Sequence, residues 1–233
     1  TTMPTHPETL AARRLLRSQH GAALATLSLR LDGHPFATAV DYLTDHTGWP
    51  VFLISSLAEH ARNIAADPRV SLLVQGKGSE AQASPRLTLA GKAARVADER
   101  HAGLQQRYLR YFPEAETYFA LDFFFCHIEP SQLRYIGGFG AARWIAPGDF
   151  AVAGNGWQEA ENALLWKHQD LLGLDCDGYD LRRGKEIVRV DFAAPILDPA
   201  KTPNLIDQAT GARFIVPAPA KVGSLRPTAN NGK

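Results

Sequence analysis

Ala22-Ala23-Leu24-Ala25-Thr26-Leu27-Ser28-Leu29-Arg30, then Asp32-Gly33, then Pro35-Phe36-Ala37-Thr38-Ala39-Val40-Asp41-Tyr42-Leu43, is the stretch that decides the fold. Ala23, Ala25, Leu27 and Leu29 fall on one face of an extended chain, with Leu24, Thr26, Ser28 and Arg30 on the other. A period of two is what a strand requires. Asp-Gly favours the positive φ of a tight hairpin turn. The stretch therefore reads as two antiparallel strands, Ala22–Arg30 and Pro35–Leu43.

Upstream, Pro7–Gln19 has helical spacing. Leu10, Ala11, Leu15 and Leu16 face inward, Arg13 and Arg17 are expected to face away, and Gly21 ends the helix. Downstream, Asp45–Gly48 is a turn and Val51–Ser55 a compact apolar strand. Leu57–Ala66 reads as a helix closed by Asp67-Pro68, because the residue before proline disfavours the helical region. Strands follow at Val70–Val74 and Arg86–Val96, separated by the polar loop Gly76–Ser84. Asp98–Phe112 is a helix and Glu114–Ala120 a shorter one. Phe123–Pro130 and Gln132–Ile136 read as the last strands, followed by Gly137-Gly138-Phe139-Gly140 and Ala141–Ile145. About six strands without regular strand–helix alternation argue for an α+β fold, a closed antiparallel barrel with flanking helices, over a doubly wound sheet.

Pro147–Gly156 reads as a linker. Trp157–Leu172 reads as one amphipathic helix. Leu174–Leu181 and Glu186–Phe192 form a hairpin around Arg182-Arg183-Gly184-Lys185, followed by a proline-rich tail. The expected division is a barrel over residues 8–146 and a small helix–hairpin appendage over residues 157–233. The appendage is too small to bury a core alone and is expected to pack on the barrel.

Composition removes several function classes. The 233 residues carry 25 Lys and Arg against 24 Asp and Glu, so no basic surplus points to nucleic acid. No run of about 18 apolar residues would span a membrane. With no signal-peptide pattern at the start, a reducing cytoplasm is the expectation. Cys126 and Cys176 form no CxxC pair, and the histidines show no metal-ligand spacing, so no metal site is expected. No Gly-x-Ser-x-Gly elbow occurs, which removes the α/β-hydrolases.

Three constellations remain. In Phe52-Leu53-Ile54-Ser55-Ser56-Leu57-Ala58-Glu59-His60-Ala61-Arg62-Asn63-Ile64, a strand ending in two hydroxyls feeds a helix carrying His60 and Arg62. Such convergence can hold a phosphate; the same residues also read as a helix cap with solvated charges. In Gly33–Tyr42, the small residues Thr38, Ala39 and Val40 would let a flat ring lie against the backbone, or simply form a core strand. Gly137-Gly138-Phe139-Gly140 requires unusual backbone or close approach. It is not a dinucleotide fingerprint, and a barrel-closing turn explains it as well as a ligand does.

Together these motifs, with Asp67-Pro68-Arg69-Val70-Ser71-Leu72-Leu73, resemble the pyridoxamine 5′-phosphate oxidase-like FMN-binding split barrels. Within them they are closest to the haem-utilisation branch of the HugZ/HutZ type. The resemblance covers roughly residues 8–146. It implies a six-stranded antiparallel split barrel, a homodimer with cofactor sites at the subunit interface, and FMN as cofactor. Ser55, Ser56, His60, Arg62 and Asn63 would surround the FMN phosphate. The backbone of Thr38, Ala39 and Val40 would meet the isoalloxazine. Arg86 would reach the partner's flavin, and Arg143 or Trp144 would close the site. The function implied is that of a flavin-dependent oxidoreductase acting on a small molecule. Two alternatives stand beside it. One is haem binding or degradation on the same barrel, with His168 or His127 as iron ligand; the other is a non-enzymatic flavin-binding module. Leu174-Asp175-Cys176-Asp177-Gly178-Tyr179 resembles the small domain often fused behind this barrel, with a shortened helix before it.

Overall fold

The computed structural model describes residues 6–78, 80, 82–138, 142–152, 155–202 and 206. The opening hairpin forms with a longer loop than read: β1 (Gly21–Leu27) stops three residues before Arg30 and pairs antiparallel with β2 (Pro35–Thr44), Ala23 opposite Ala39. The turn uses φ of 50° at Asp32 and 78° at Gly33. Next come β3 (Pro50–Ser55), β4 (Arg69–Gln75), β5 (Arg86–Arg95) and β6 (Phe123–Ile136). The order β3-β2-β1-β4-β5-β6, with β6 returning to β3, closes a six-stranded antiparallel barrel. The short strand β7 (Ala142–Ile145) extends the sheet from the far half of β6.

The two strands expected at Phe123–Pro130 and Gln132–Ile136 are one. Ser131 is an extra residue between the pairs Gly91–Pro130 and Ala90–Gln132, and its hydroxyl donates to the Ala90 carbonyl at 3.0 Å. This bulge bends β6, so that its first half pairs with β3 and its second with β7. Opposite the bulge, a Cβ on Gly91 would come within 2.1 Å of the Glu129 carbonyl oxygen, so glycine is required there.

Alternation sorts the side chains. Leu24, Leu72, Leu87, Leu89 and Leu133 fill the barrel with Tyr42 and Phe52. Fully burying each leucine stabilises by roughly 1.5–3 kcal/mol. α1 (Pro7–Ser18) covers one opening with Leu15 and Leu16, and α2 (Glu59–Ala66) adds Ala61. A second core lies outside the barrel, where Leu43, Val51 and Phe125 meet Leu104, Tyr108 and Tyr111 of α3 (Asp98–Tyr111). A 3₁₀ segment, Pro113–Ala120, leads back to β6.

The expected linker is partly structured. α4 (Pro147–Phe150) buries Phe150, whose ring stacks on Trp49 at 5.4 Å between centroids. The helix expected over Trp157–Leu172 stops early: α5 spans Trp157–Leu165 and β8 spans Leu171–Asp175. All five β8 residues are buried. Gly173 lets β8 approach α3, since a Cβ there would meet the Tyr111 hydroxyl at 2.1 Å. The strand read as Leu174–Leu181 is broken by a turn at Cys176-Asp177, after which β9 (Gly178–Arg183) and β10 (Glu186–Asp191) complete a three-stranded sheet. Trp157, Leu164, Leu174, Tyr179 and Ile206 form its core.

This unit is joined to the barrel through buried charge. Arg13 and Arg17, expected to face solvent, are each 3% exposed. Arg13 donates to Asp177 through Nε at 3.0 Å and Nη2 at 2.7 Å, and Arg17 Nη1 donates to the same carboxylate. Asp175 accepts two hydrogen bonds from Arg189, both at 2.7 Å. Glu161 receives Arg107, Arg110 and the Leu174 N–H. No described helix is long and apolar enough to cross a membrane.

Candidate cofactor-binding site

The register carries one face of the sheet around the outside of the barrel. Ala37 and Ala39 of β2 lie beside Ala25 and Ala23 of β1, then Ser71 and Leu73 of β4. Leu73 faces Thr88 of β5, Thr88 faces Arg134 of β6, and Arg134 faces Trp144 of β7. Arg86 sits between Gln75 and Ile136, two positions along β5 from Thr88 on the same face. Ala23, Ala37 and Ala39 are exposed, and Leu73 is 38% exposed. A shallow trough of about 450 Å³ runs over Ala23, Ala37, Ala39 and Leu73. Trp144, 63% exposed, stands at the far edge with the Arg134 guanidinium 5.2 Å above its ring.

Of the expected site residues, Ala39, Arg86 and Trp144 share this outer face. The side chains of Thr38 and Val40 alternate to the other side, where Val40 packs on the barrel core, while Thr38 still lines the trough. Arg143 lies opposite Tyr135, off the outer face. Arg134 was not anticipated, although the alternation of Leu133, Arg134 and Tyr135 carries the signal.

The Ser55–Asn63 motif is assembled differently from a phosphate cradle. The Ser55 and Ser56 hydroxyls both donate to the Asp122 carboxylate. The Ser56 hydrogen bond above all, joined by that from Ser55, outweighs desolvation and holds the Asp122 carboxyl below its ordinary range. Asn63 is fully buried and engaged on both ends of its amide. Its Oδ1 accepts from the Leu29 N–H at 2.9 Å and its Nδ2 donates to Thr26 at 3.0 Å, tying α2 to β1. His60 Nδ1 lies 3.3 Å from the Thr38 hydroxyl, and burial lowers its pKa, favouring the neutral ring. Arg62 is exposed on α2. A phosphate here would meet the Asp122 carboxylate, which already takes the Ser55 and Ser56 hydroxyls, so the segment fits FMN poorly. Asp122 comes from a turn 66 residues beyond Ser56, and no local pattern reveals it.

His127 lies on another side of the barrel, opposite Val51 and Ala94, with Nε2 3.5 Å from Glu129. His168 follows α5 in the C-terminal unit. His127 alternates with the core residues Cys126 and Ile128 and so points out of the barrel, but beside β3 rather than in the row of Ala23, Ala37, Ala39 and Leu73, and His168 is not in that row either. Phe139 and Gly140 of the glycine-rich motif lie outside the described residues. Asp175, Cys176 and Asp177 offer ligand atoms within 4.8 Å of one another. Arg13, Arg17 and Arg189 already neutralise both carboxylates, so these residues do not fit a metal ion.

Comparisons with known proteins agree with this architecture. A chloroplastic haem oxygenase, HOZ, from Arabidopsis thaliana is 33% identical over 139 residues, which is 60% of this chain and 43% of that protein. The chain thus spans less than half the length of that relative. A structure described as a heme binding protein from Mycobacterium smegmatis is 28% identical with a TM-score of 0.58, over 91% of this chain and 100% of the other. A protein of unknown function from Agrobacterium tumefaciens shares the fold at 24% identity and a TM-score of 0.73, over 89% of this chain and 97% of the other. The family model described as CREG, beta-barrel matches residues 4–152, well over half of the sequence. The chain belongs to the CREG β-barrel family.

Proposed function

We propose that this protein binds haem on the outer face of its barrel, between two copies of the chain. The observation that carries the reading is the flat row of Ala23, Ala37, Ala39 and Leu73, bordered by Arg86 and Arg134. Haem is a planar apolar macrocycle with two carboxylates, and it needs such a surface with cations at one edge. The strand face covers only one side of a ring. A second copy related by a two-fold axis would cover the other and bury the exposed apolar row. The haem-related names of the Arabidopsis and Mycobacterium relatives support the same reading.

Haem degradation is the finer form of the proposal. Bound iron would supply the redox chemistry. The chain's part is to orient the ring by apolar contact and to pair the carboxylates with arginine. No described histidine stands in this row, so the iron ligand is assigned to neither His127 nor His168. An FMN-dependent oxidoreductase is the second reading, favoured by the exposed backbone trough along Ala37–Ala39 and opposed by Asp122 at the phosphate end.

The two separate by titration. Addition of haemin should produce a saturable Soret band, and FMN should bind weakly. Tight FMN binding with no Soret change would overturn the proposal.

A further inference from the structure

The C-terminal unit meets the barrel along a seam that holds two histidines, both acted on by Arg107 of α3. His20 lies between α1 and β1, and His46 lies in the turn between β2 and β3, so both come from the barrel side. The carboxylates nearest them in the fold, Asp180 of β9 and Glu161 of α5, come from the C-terminal unit.

His20 is packed without a polar partner. Its ring lies on Tyr111 at 5.1 Å between centroids and on Phe112 at 6.4 Å. Both ring nitrogens are buried and make no hydrogen bond among the described residues. Asp180 Oδ2 already takes the Tyr111 hydroxyl at 2.6 Å and Arg189 of β10 at 3.4 Å, while its Oδ1 is buried and makes no hydrogen bond. Burial, first, lowers the His20 pKa; Asp180 opposes this, and Arg189 and Arg107 add to it.

His46 is kept neutral by its contacts. Arg107 Nη1 lies 3.3 Å from His46 Nε2, and a guanidinium has only donors to offer, so that nitrogen must present its lone pair. Glu161 Oε2 lies at the same distance but already accepts from Arg107 and from the Leu174 N–H, and Oε1 accepts from Arg110. Arg100 is paired with Asp45, and Asp175 of β8 with Arg17 and Arg189. Glu99 and Glu159 stand exposed at the rim of the cleft beside His46. Burial first, then Arg107, lowers the His46 pKa to about 2.

A proton on either ring therefore sets a charge against Arg107 with no open carboxylate oxygen within hydrogen-bond reach. Separation of the two parts removes that conflict, because Glu161, Asp180 and Arg189 leave with the C-terminal unit and water reaches the rings. We propose that His20 and His46 form an acid-sensitive latch, which holds the C-terminal unit on the barrel while both rings are neutral and releases it when either takes a proton from solvent. The device goes beyond the haem reading and does not depend on it. Detached, each imidazole titrates near 6.5. Each ring protonated only in the detached form raises the detached population up to about tenfold per pH unit below that value.

Hydrogen exchange of the full chain between pH 7 and 5, corrected for the intrinsic rate, tests this. Protection of β8–β10 should fall at least tenfold more than that of β1 and β4. Combining His20→Phe, which keeps a ring on Tyr111 and Phe112, with His46→Gln, which keeps an acceptor for Arg107, should abolish that difference. Proton NMR of the imidazoles in the unmodified chain reads the same claim without substitution: His20 and His46 should titrate below the ordinary imidazole range. Protection of β8–β10 that is independent of pH, lost equally from the barrel, or raised by acid through a His20–Asp180 pair would overturn the proposal. So would an unaltered pH response in the double variant, or ordinary titration of both rings.

Discussion

Replacing Asp177 with alanine should detach the C-terminal unit from α1 while leaving the barrel formed. Asp177 is fully buried and receives three guanidinium N–H groups, two from Arg13 and one from Arg17. Removing one side of a buried ion pair costs about 3–5 kcal/mol, because the remaining charge is left without a partner in low dielectric. Arg17 keeps a second carboxylate, Asp175, at 3.5 Å. Arg13 has no other ion pair among the described residues and would be left uncompensated, while Arg17's retained partner keeps the expected loss near the lower end, about 3 kcal/mol. For a protein of this size that corresponds to a drop of roughly 6–12 °C in melting midpoint. Thermal denaturation followed by circular dichroism measures it, and hydrogen exchange should show the loss concentrated in α1 and β8–β10. Asp177→Asn, which keeps an acceptor but not the charge, should fall between. A midpoint shift under about 2 °C, or protection lost uniformly over the barrel, would refute the claim that this carboxylate joins the two parts.

His46 should make stability depend on pH. Its folded pKa is near 2 and an unfolded imidazole titrates near 6.5, so below pH 6.5 the unfolded chain takes up a proton that the folded one refuses. Stability should fall by up to about 1.4 kcal/mol per pH unit there, and His46→Gln should flatten that slope in denaturation curves taken between pH 7 and 5. Burial pushes the Asp175 carboxyl up, but Arg17 and Arg189 outweigh it and hold it at about 2, so its contribution is present above pH 4 and lost as pH falls toward 2. Asn63→Ala should cost about 1–3 kcal/mol by stranding the Leu29 N–H and Thr26, and leave haemin affinity unchanged. Sedimentation should show a species of twice the chain mass, and Trp144→Glu should shift it toward the monomer.

The barrel was legible because its strands alternate: the period of two in Ala22–Leu43 determines which side chains enter the core, and local turn chemistry at Asp32-Gly33 sets the register. The errors share a cause. Arg13 and Arg17 carry the helical spacing of solvent-facing residues, and the carboxylate that draws them inside stands 164 and 160 positions away. Leu164-Leu165 and Leu171-Leu172 continue a helical spacing, yet the buried sheet takes the second pair because Gly173 lets that strand approach Tyr111. The turn between β8 and β9 is Cys176-Asp177, which has neither a glycine nor a positive φ, so no local signal breaks the strand read over Leu174–Leu181. At the site, Ser55 and Asn63 had the residue types of a phosphate cradle. Their partners, Asp122 and Leu29, decide otherwise and come from other parts of the chain.

The central claim is tested most directly by haemin titration of variants that place charge in the row of small residues. Ala23→Glu and Ala39→Glu project from exposed strand positions, so the barrel should fold as before, while a carboxylate set against a flat apolar ring should weaken haemin at least tenfold, about 1.4 kcal/mol or more. The account predicts a saturable Soret band for the unmodified chain, its loss in both variants, and its retention in His60→Ala. Unchanged haemin affinity in Ala23→Glu and Ala39→Glu, with folding intact, would contradict the account.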